Sequence, residues 1–230
     1  GNSYSGGTRI ESSGVAYVAA DGGFGAVPAS VDAQNIVLDG GFLRSTNTLN
    51  TLHANRGVYV DNAGACLHVY SGCRLLIQGP LSGTAPLAIT DVGTVQLGSA
   101  DNTFNGPVSL NPVNGATTFE IGTGTAYSWI STQPFTGSNQ GGAVALNANA
   151  TVTFASKLDG TLTMVKRGSG AASLSVGNNT YTGTTRVETG LLQVATTNVI
   201  PYGVGKGVVE LYAAGTFDLN GYDVRINGLQ

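Results

Sequence analysis

Few side chains in this sequence could do chemistry, and they fall in three places. Cys66, His68 and Cys73 lie close together, with His53 upstream. Thiols and imidazoles are the usual zinc ligands, but Cys66-x-His68 followed by Cys73 matches the spacing of no compact zinc module. A redox reading needs less. The Ser71-Gly72 corner could bring Cys66 and Cys73 together as a disulfide in an oxidising compartment, with ~2–3 kcal/mol of stabilisation for so short a loop. Two buried free thiols are the third reading. The disulfide is carried forward as the expectation, and no metal or other cofactor is expected.

The second place is acidic. Asp39 and Asp61 are 22 residues apart, with Asp32 before them, so on a stacked fold they could share one face. Stacked acids could work as general acid and base on a polysaccharide, or hold calcium. The opposing reading makes each a corner residue, since Asp39 precedes Gly40 and Asp61 precedes Asn62. Lys and Arg, which a lyase would need as base, are scarce nearby. The expectation is that no pair of carboxylates converges at catalytic separation and that no Asp cluster holds calcium. No Ser-His-Asp spacing and no nucleotide-binding glycine loop stands out.

The third place is aromatic. Tyr127, Trp129 and Phe135 lie among Ser, Thr, Asn and Gln in the irregular stretch 122–142. Ring faces beside amides and hydroxyls suit stacking on sugars or contact with a protein, and these three residues are the candidate binding site. The plainer reading puts Tyr127 and Trp129 on one strand face, filling an apolar interior.

The elements that must position these groups are short strands. Between 156 and 194, alternating runs at Leu162–Met164, Ser173–Val176, Thr185–Glu188 and Leu191–Val194 are broken by Gly or Asn-Asn. Helix is disfavoured there by repeated Gly and Thr and by the lack of a 3.6-residue apolar stripe. The corner Asn179-Thr180-Tyr181-Thr182-Gly183 has an earlier counterpart in Asn102-Thr103-Phe104-Asn105-Gly106. A recurring strand-and-corner series indicates a solenoid, whose turns bury their apolar side chains against one another. Strand spacings over 34–77 predict coils of roughly two dozen residues, about ten coils in all, and a rod of roughly 45 Å. Leu174, Val176, Val187, Leu192 and Val194 should point inward, with Tyr181 packed over the side of the coil. Residues 1–30 read as an irregular cap or a preceding coil, with Val15–Val18 the one strand-like run.

At Lys166, Gly168, Gly170, Leu174, Val176, Gly177, Asn179 to Gly183, Thr185, Val187, Gly190, Leu192 and Val194 the chain resembles the passenger-associated transport repeat, or autotransporter-associated β strand repeat, of bacterial autotransporter passengers. Weaker likeness extends over 40–83 and over 215–221. The resemblance implies an all-β, right-handed parallel β-helix exported through the bacterial envelope, with no catalytic residues. It further implies a stalk or adhesive segment that helps secretion by folding progressively. A carbohydrate-active β-helix enzyme is the alternative.

Composition points the same way. Gly contributes 35 of 230 residues and charged residues are 10%, so the surface must be made chiefly of Ser, Thr, Asn and Gln. Ten basic and 13 acidic side chains, net −3, are scattered singly, which leaves no basic patch for nucleic acid. No apolar run is long enough to span a bilayer and no signal peptide opens the chain. The expectation is one solenoid over 1–230, part of a longer secreted or surface protein whose export signal and anchor lie elsewhere. Its partners would be neighbouring coils of that longer chain and a glycan or host-protein surface.

Overall fold

The computed structural model describes residues 2–113, 115–124 and 129–230, apart from the side chain of Asn139. The chain winds as a parallel β-solenoid of about nine turns. Every ladder between named strands is parallel. The one antiparallel contact among the described residues is an isolated bridge between Glu11 and Gly40. Helix is confined to a 3₁₀ turn at Asp21–Phe24. At the strand spacing of ~4.8 Å nine turns make a rod of roughly 40 Å, one coil fewer than the sequence spacing suggests.

Each early coil has three faces. Thr8–Glu11, Asp32–Asp39, Arg56–Val60 and Leu81–Gly83 stack on the first. Val15–Val18, Phe42–Ser45, Ala65–Val69, Leu87–Thr90 and Val108–Asn111 stack on the second. Asn50–Leu52, Arg74–Ile77, Thr94–Leu97 and Thr117–Ile121 stack on the third. From Phe135–Asn147 onward one bent strand serves two faces: residues 135–137 pair with 108–110, and 142–146 pair with 117–121. Thr185–Val194 is likewise one bent strand, where the sequence suggests two. The stretch 122–142 is therefore not one loop, because its second half is strand. Thr8–Glu11 was not apparent from the sequence, where Gly6-Gly7 and Ser12-Ser13 obscure the alternation.

The alternation places one side chain in two inside, and parallel in-register stacking aligns these as axial rows. Leu52, Ile77, Leu97, Ile121, Leu146, Lys166 and Val187 occupy one row. All of its apolar members have no exposure. Asn50, Leu75, Val95, Phe119, Val144, Met164, Thr185 and Val209 form the next. Its two polar members are satisfied, Asn50 by the Ser45 hydroxyl at 2.7 Å and Thr185 by the Tyr181 hydroxyl at 2.6 Å. Leu174, Val187, Leu192 and Val194 are buried as expected, but Val176 lies past the strand end and is only partly covered. In the first turn, Asp21–Phe24 takes the place of a third strand. The wholly buried Arg56 holds it, donating to Asp21 Oδ1 at 2.9 Å and to the carbonyls of Phe24 and Gly25 at 2.9 and 3.2 Å.

Candidate functional surface

The expected disulfide does not form: Cys66 and Cys73 are both free. A solenoid corner changes the chain's direction without reversing it. Cys66 therefore stays on the second face and Cys73 begins the third, beyond about 10 Å of extended strand 66–69. Burial raises the Cys66 thiol pKa, while its Sγ lies 3.2 Å from Thr90 Oγ1. His68 Nδ1 is 3.2 Å from the same hydroxyl and its Nε2 is 2.9 Å from Asp91 Oδ2. Sequence spacing gave no sign of this hydroxyl–imidazole–carboxylate series, because it joins adjacent coils. Thr90 ends a strand paired on both sides, so its own backbone belongs to the ladder. Among the described residues no three His, Cys, Asp or Glu side chains converge as a metal site.

The acids depart from expectation. Asp39 and Asp61 do meet, both bonding Arg9 Nη2, at 2.5 and 2.8 Å, so their nearest oxygens are at most 5.3 Å apart. The reason is the strand Thr8–Glu11, which puts Arg9 in the rung beside them. The guanidinium occupies the space a sugar oxygen or attacking water would need. The Asn62 N–H and then Arg9 hold the Asp61 carboxyl below the usual carboxylate range. Asp39 also accepts Ala63 N–H at 2.9 Å, and Asp32 accepts Gln34 N–H at 3.0 Å, as corner acids do.

The aromatic site is mostly interior. Trp129 is 6% exposed and Phe135 is 0%. Both belong to a run of rings in the core, with Trp129 5.8 Å from Phe119 and 5.4 Å from Phe135, and Phe135 5.7 Å from Phe154. Trp129 Nε1 donates to the buried Ser156 hydroxyl at 3.1 Å. Neither ring can present a face to a sugar, and the proposed binding role for these two is withdrawn. Tyr127 lies outside the described residues.

The repeat corners share two bonds. Asn102 Oδ1 accepts Leu81 N–H and Asn179 Oδ1 accepts Leu158 N–H, each at 2.8 Å. Their amides donate three residues back, to Ser99 O at 2.8 Å and Val176 O at 2.9 Å. Phe104 and Tyr181 enter the core, each 1% exposed, instead of covering the coil's side. Desolvation raises the Tyr181 phenol pKa. A third copy went unnoticed in the sequence: Asn2-Ser3-Tyr4-Ser5-Gly6 with Thr8, where Tyr4 and Thr8 hydroxyls lie 2.8 Å apart.

Lys166 carries the other part of the repeat. It takes an apolar place in an inward row and turns its ammonium to the corner, donating to Gly168 O at 2.7 Å and Thr189 O at 3.2 Å. With no carboxylate bonded, desolvation pulls its pKa down to about 8. Gly190, at φ 73°, makes room for it: a Cβ there would lie 2.3 Å from Gly168 O and 2.9 Å from Lys166 Nζ.

Two outward features remain. On the third face Glu120, 3% exposed, joins four coils: it accepts from Gln96 at 3.1 Å, Asn147 at 2.6 Å and Arg167 at 3.1 Å. On the second face Tyr17, Phe42, Arg44, His68 and Tyr70 form an aromatic and cationic platform. Its residues sit in register, Val15 beside Phe42 and Cys66, and Tyr17 beside Arg44 and His68. Sequence reading missed it, although the alternations Val15-x-Tyr17, Phe42-x-Arg44 and Cys66-x-His68-x-Tyr70 were available.

Comparison with known proteins places the repeat. The family model described as passenger-associated-transport-repeat matches residues 1–15 and 164–194, and the second stretch is a repeat of that kind. A curated relative, the Adhesin BmaC autotransporter of Brucella suis biovar 1 (strain 1330), is 38% identical over 109 residues. That covers 47% of this chain and 3% of that protein. No solved structure gives a significant match.

Proposed function

We propose that this chain is a non-enzymatic segment of an autotransporter passenger, a rod that stands on the bacterial surface and serves as stalk and adhesive. The observation carrying this reading is that the residues of the matched repeat are the ones that close the coils. Lys166 and Gly190 build one corner, and Asn179, Tyr181 and Thr185 the next. A relative named as an autotransporter adhesin supports the same assignment. Because the backbone ladders join each coil only to its neighbours, a chain emerging from an export pore could fold coil by coil and be drawn outward. Attachment to the outer membrane would come from a region outside this sequence. The enzyme alternative is disfavoured because acids that approach one another do so around an arginine, Asp39 and Asp61 around Arg9 and Glu120 and Glu188 around Arg167.

The test displays the chain on a bacterium without adhesins of its own. Adherence to host cells or matrix should rise several-fold over an empty display scaffold. Purified protein incubated with plant and bacterial polysaccharides should release no new reducing or unsaturated ends. Turnover that vanishes in Asp39→Asn or Asp61→Asn would replace this reading with the enzyme.

A further inference from the structure

The second face changes character along the rod. Over its first three rungs the outward positions are Val15 and Tyr17, then Phe42 and Arg44, then Cys66, His68 and Tyr70. Over the next two they are Ala88 and Thr90, then Ser109 and Asn111. Aromatic bulk thus gives way to a floor of small side chains. A shallow depression of about 250 Å³ lies at the junction, lined by Gly41, Gly64, Cys66, Ala88 and Ser109 among others.

Tyr17 is 59% exposed and Tyr70 38%, against the usual tendency to cover such rings. The Arg44 guanidinium lies 5.9 Å from the Tyr17 ring centroid and 5.7 Å from that of Phe42, within cation–π reach of both rings. Among the described residues it makes no ion pair. Its one side-chain bond is a long one, from Nη1 to the Tyr17 hydroxyl at 3.3 Å. Nε is enclosed without an acceptor, whereas Nη2 has no protein partner and is not enclosed. Asp91, the acid that meets the platform, is bonded to His68 at 2.9 Å.

We propose that this platform binds a carboxylate-bearing sugar. The Arg44 Nη groups would take the carboxylate, Tyr17 or Tyr70 would stack on a pyranose face, and the Cys66–Ala88–Ser109 floor would seat the adjoining ring. Stacking area beside one cation without an ion pair is what a uronic or sialic acid residue offers a complement to. A protein partner fits less well, because the depression is shallow and offers no deep anchor pocket. The inference deepens the adhesive reading and rests on it for its biological sense, though not for its chemistry.

The test is a titration of the whole chain with uronate- and sialate-bearing oligosaccharides and their carboxyl-reduced counterparts, followed by calorimetry. The acidic ligands should bind in the submillimolar range, the reduced ones at least ten-fold more weakly, with affinity falling as salt rises. Arg44→Gln and Tyr17→Ala should each weaken binding ten-fold or more with an unchanged circular dichroism spectrum, since both side chains lie outside the core. Arg225→Gln removes a similar ring-stacked arginine, 5.6 Å from Tyr202, and should have no effect. Equal binding of acidic and reduced sugars, no binding, or equal losses from Arg44→Gln and Arg225→Gln would each overturn the proposal. Displayed chain that adheres to cells regardless of Arg44→Gln would sink the platform and spare the adhesive reading. Sugar binding without any adherence would do the reverse.

Discussion

Tyr181 and Tyr4 make the same bond in different surroundings, which isolates what burial contributes to the repeat. Each phenol pairs with the threonine four residues on, at 2.6 Å to Thr185 and 2.8 Å to Thr8. Tyr181 is 1% exposed and Tyr4 is 42%. Tyr181→Ala removes a buried ring, leaves a cavity and orphans the buried Thr185 hydroxyl, so it should cost about 3–5 kcal/mol. Tyr181→Phe keeps the ring and should cost about 1–2 kcal/mol, the hydroxyl's share. Tyr4→Ala loses the same chemistry from a half-open site and should cost about 1 kcal/mol. Guanidinium unfolding followed by circular dichroism, with Trp129 fluorescence as a second probe, gives all three numbers. Backbone ladders couple a coil only to its neighbours, so hydrogen exchange at amides 185–187 should report the loss even if distant coils do not. Tyr181→Ala within about 1 kcal/mol of Tyr4→Ala would refute the claim that the aromatic corner acts as core.

Asn102→Ala and Asn179→Ala should each cost about 1–3 kcal/mol by orphaning a buried N–H, and the double variant should show the sum, because the orphaned amides, Leu81 and Leu158, lie in separate coils. Lys166 has its folded pKa lowered to about 8 from 10.5, so between those values the unfolded chain holds more protons. Stability should therefore rise with pH from 8 toward 10, by about 2–3 kcal/mol. Urea midpoints at several pH values check this, and the rise should vanish in Lys166→Met. Thiol labelling should count two free cysteines, with Cys73 reacting faster than the buried Cys66; a mass two units low before reduction would contradict the corner geometry.

The stacked fold could be read from residues 156–194 because corner chemistry there is local: Asn179, Gly183 and Gly190 act within their own coil or its neighbour. The surface groups were harder because the distance from one rung to the next is not constant. Arg44 stands 27 residues after Tyr17 and 24 before His68, and no fixed period aligns the three. Trp129 and Phe135 look like a polar-set binding loop in sequence, yet the chain turns inward there and its Ser and Thr neighbours flank the core. The spacing of Asp39 and Asp61 allowed a shared face, but the expectation that no carboxylates converge failed, because Arg9 was unforeseen as long as the first strand went unseen. The cysteine expectation failed on direction of travel: a hairpin would have returned Cys73 to Cys66, and a solenoid carries it onward.

Parallel stacking also fixes how the molecule would meet a pull. The ladder bonds lie along the rod, so tension between its ends loads the coils in series and the weakest opens alone. One coil takes up ~4.8 Å of rod but holds 20 residues between Leu174 and Val194, or 27 between Leu110 and Gly137. Let out at ~3.4 Å per residue, it would yield roughly 70–90 Å of slack. At 175–184 and 195–208, where the chain runs outside the strands, fewer ladder bonds resist that opening. A tether of this construction lengthens in steps under drag and rewinds against the intact coil beside it, so a sudden load reaches its far end softened.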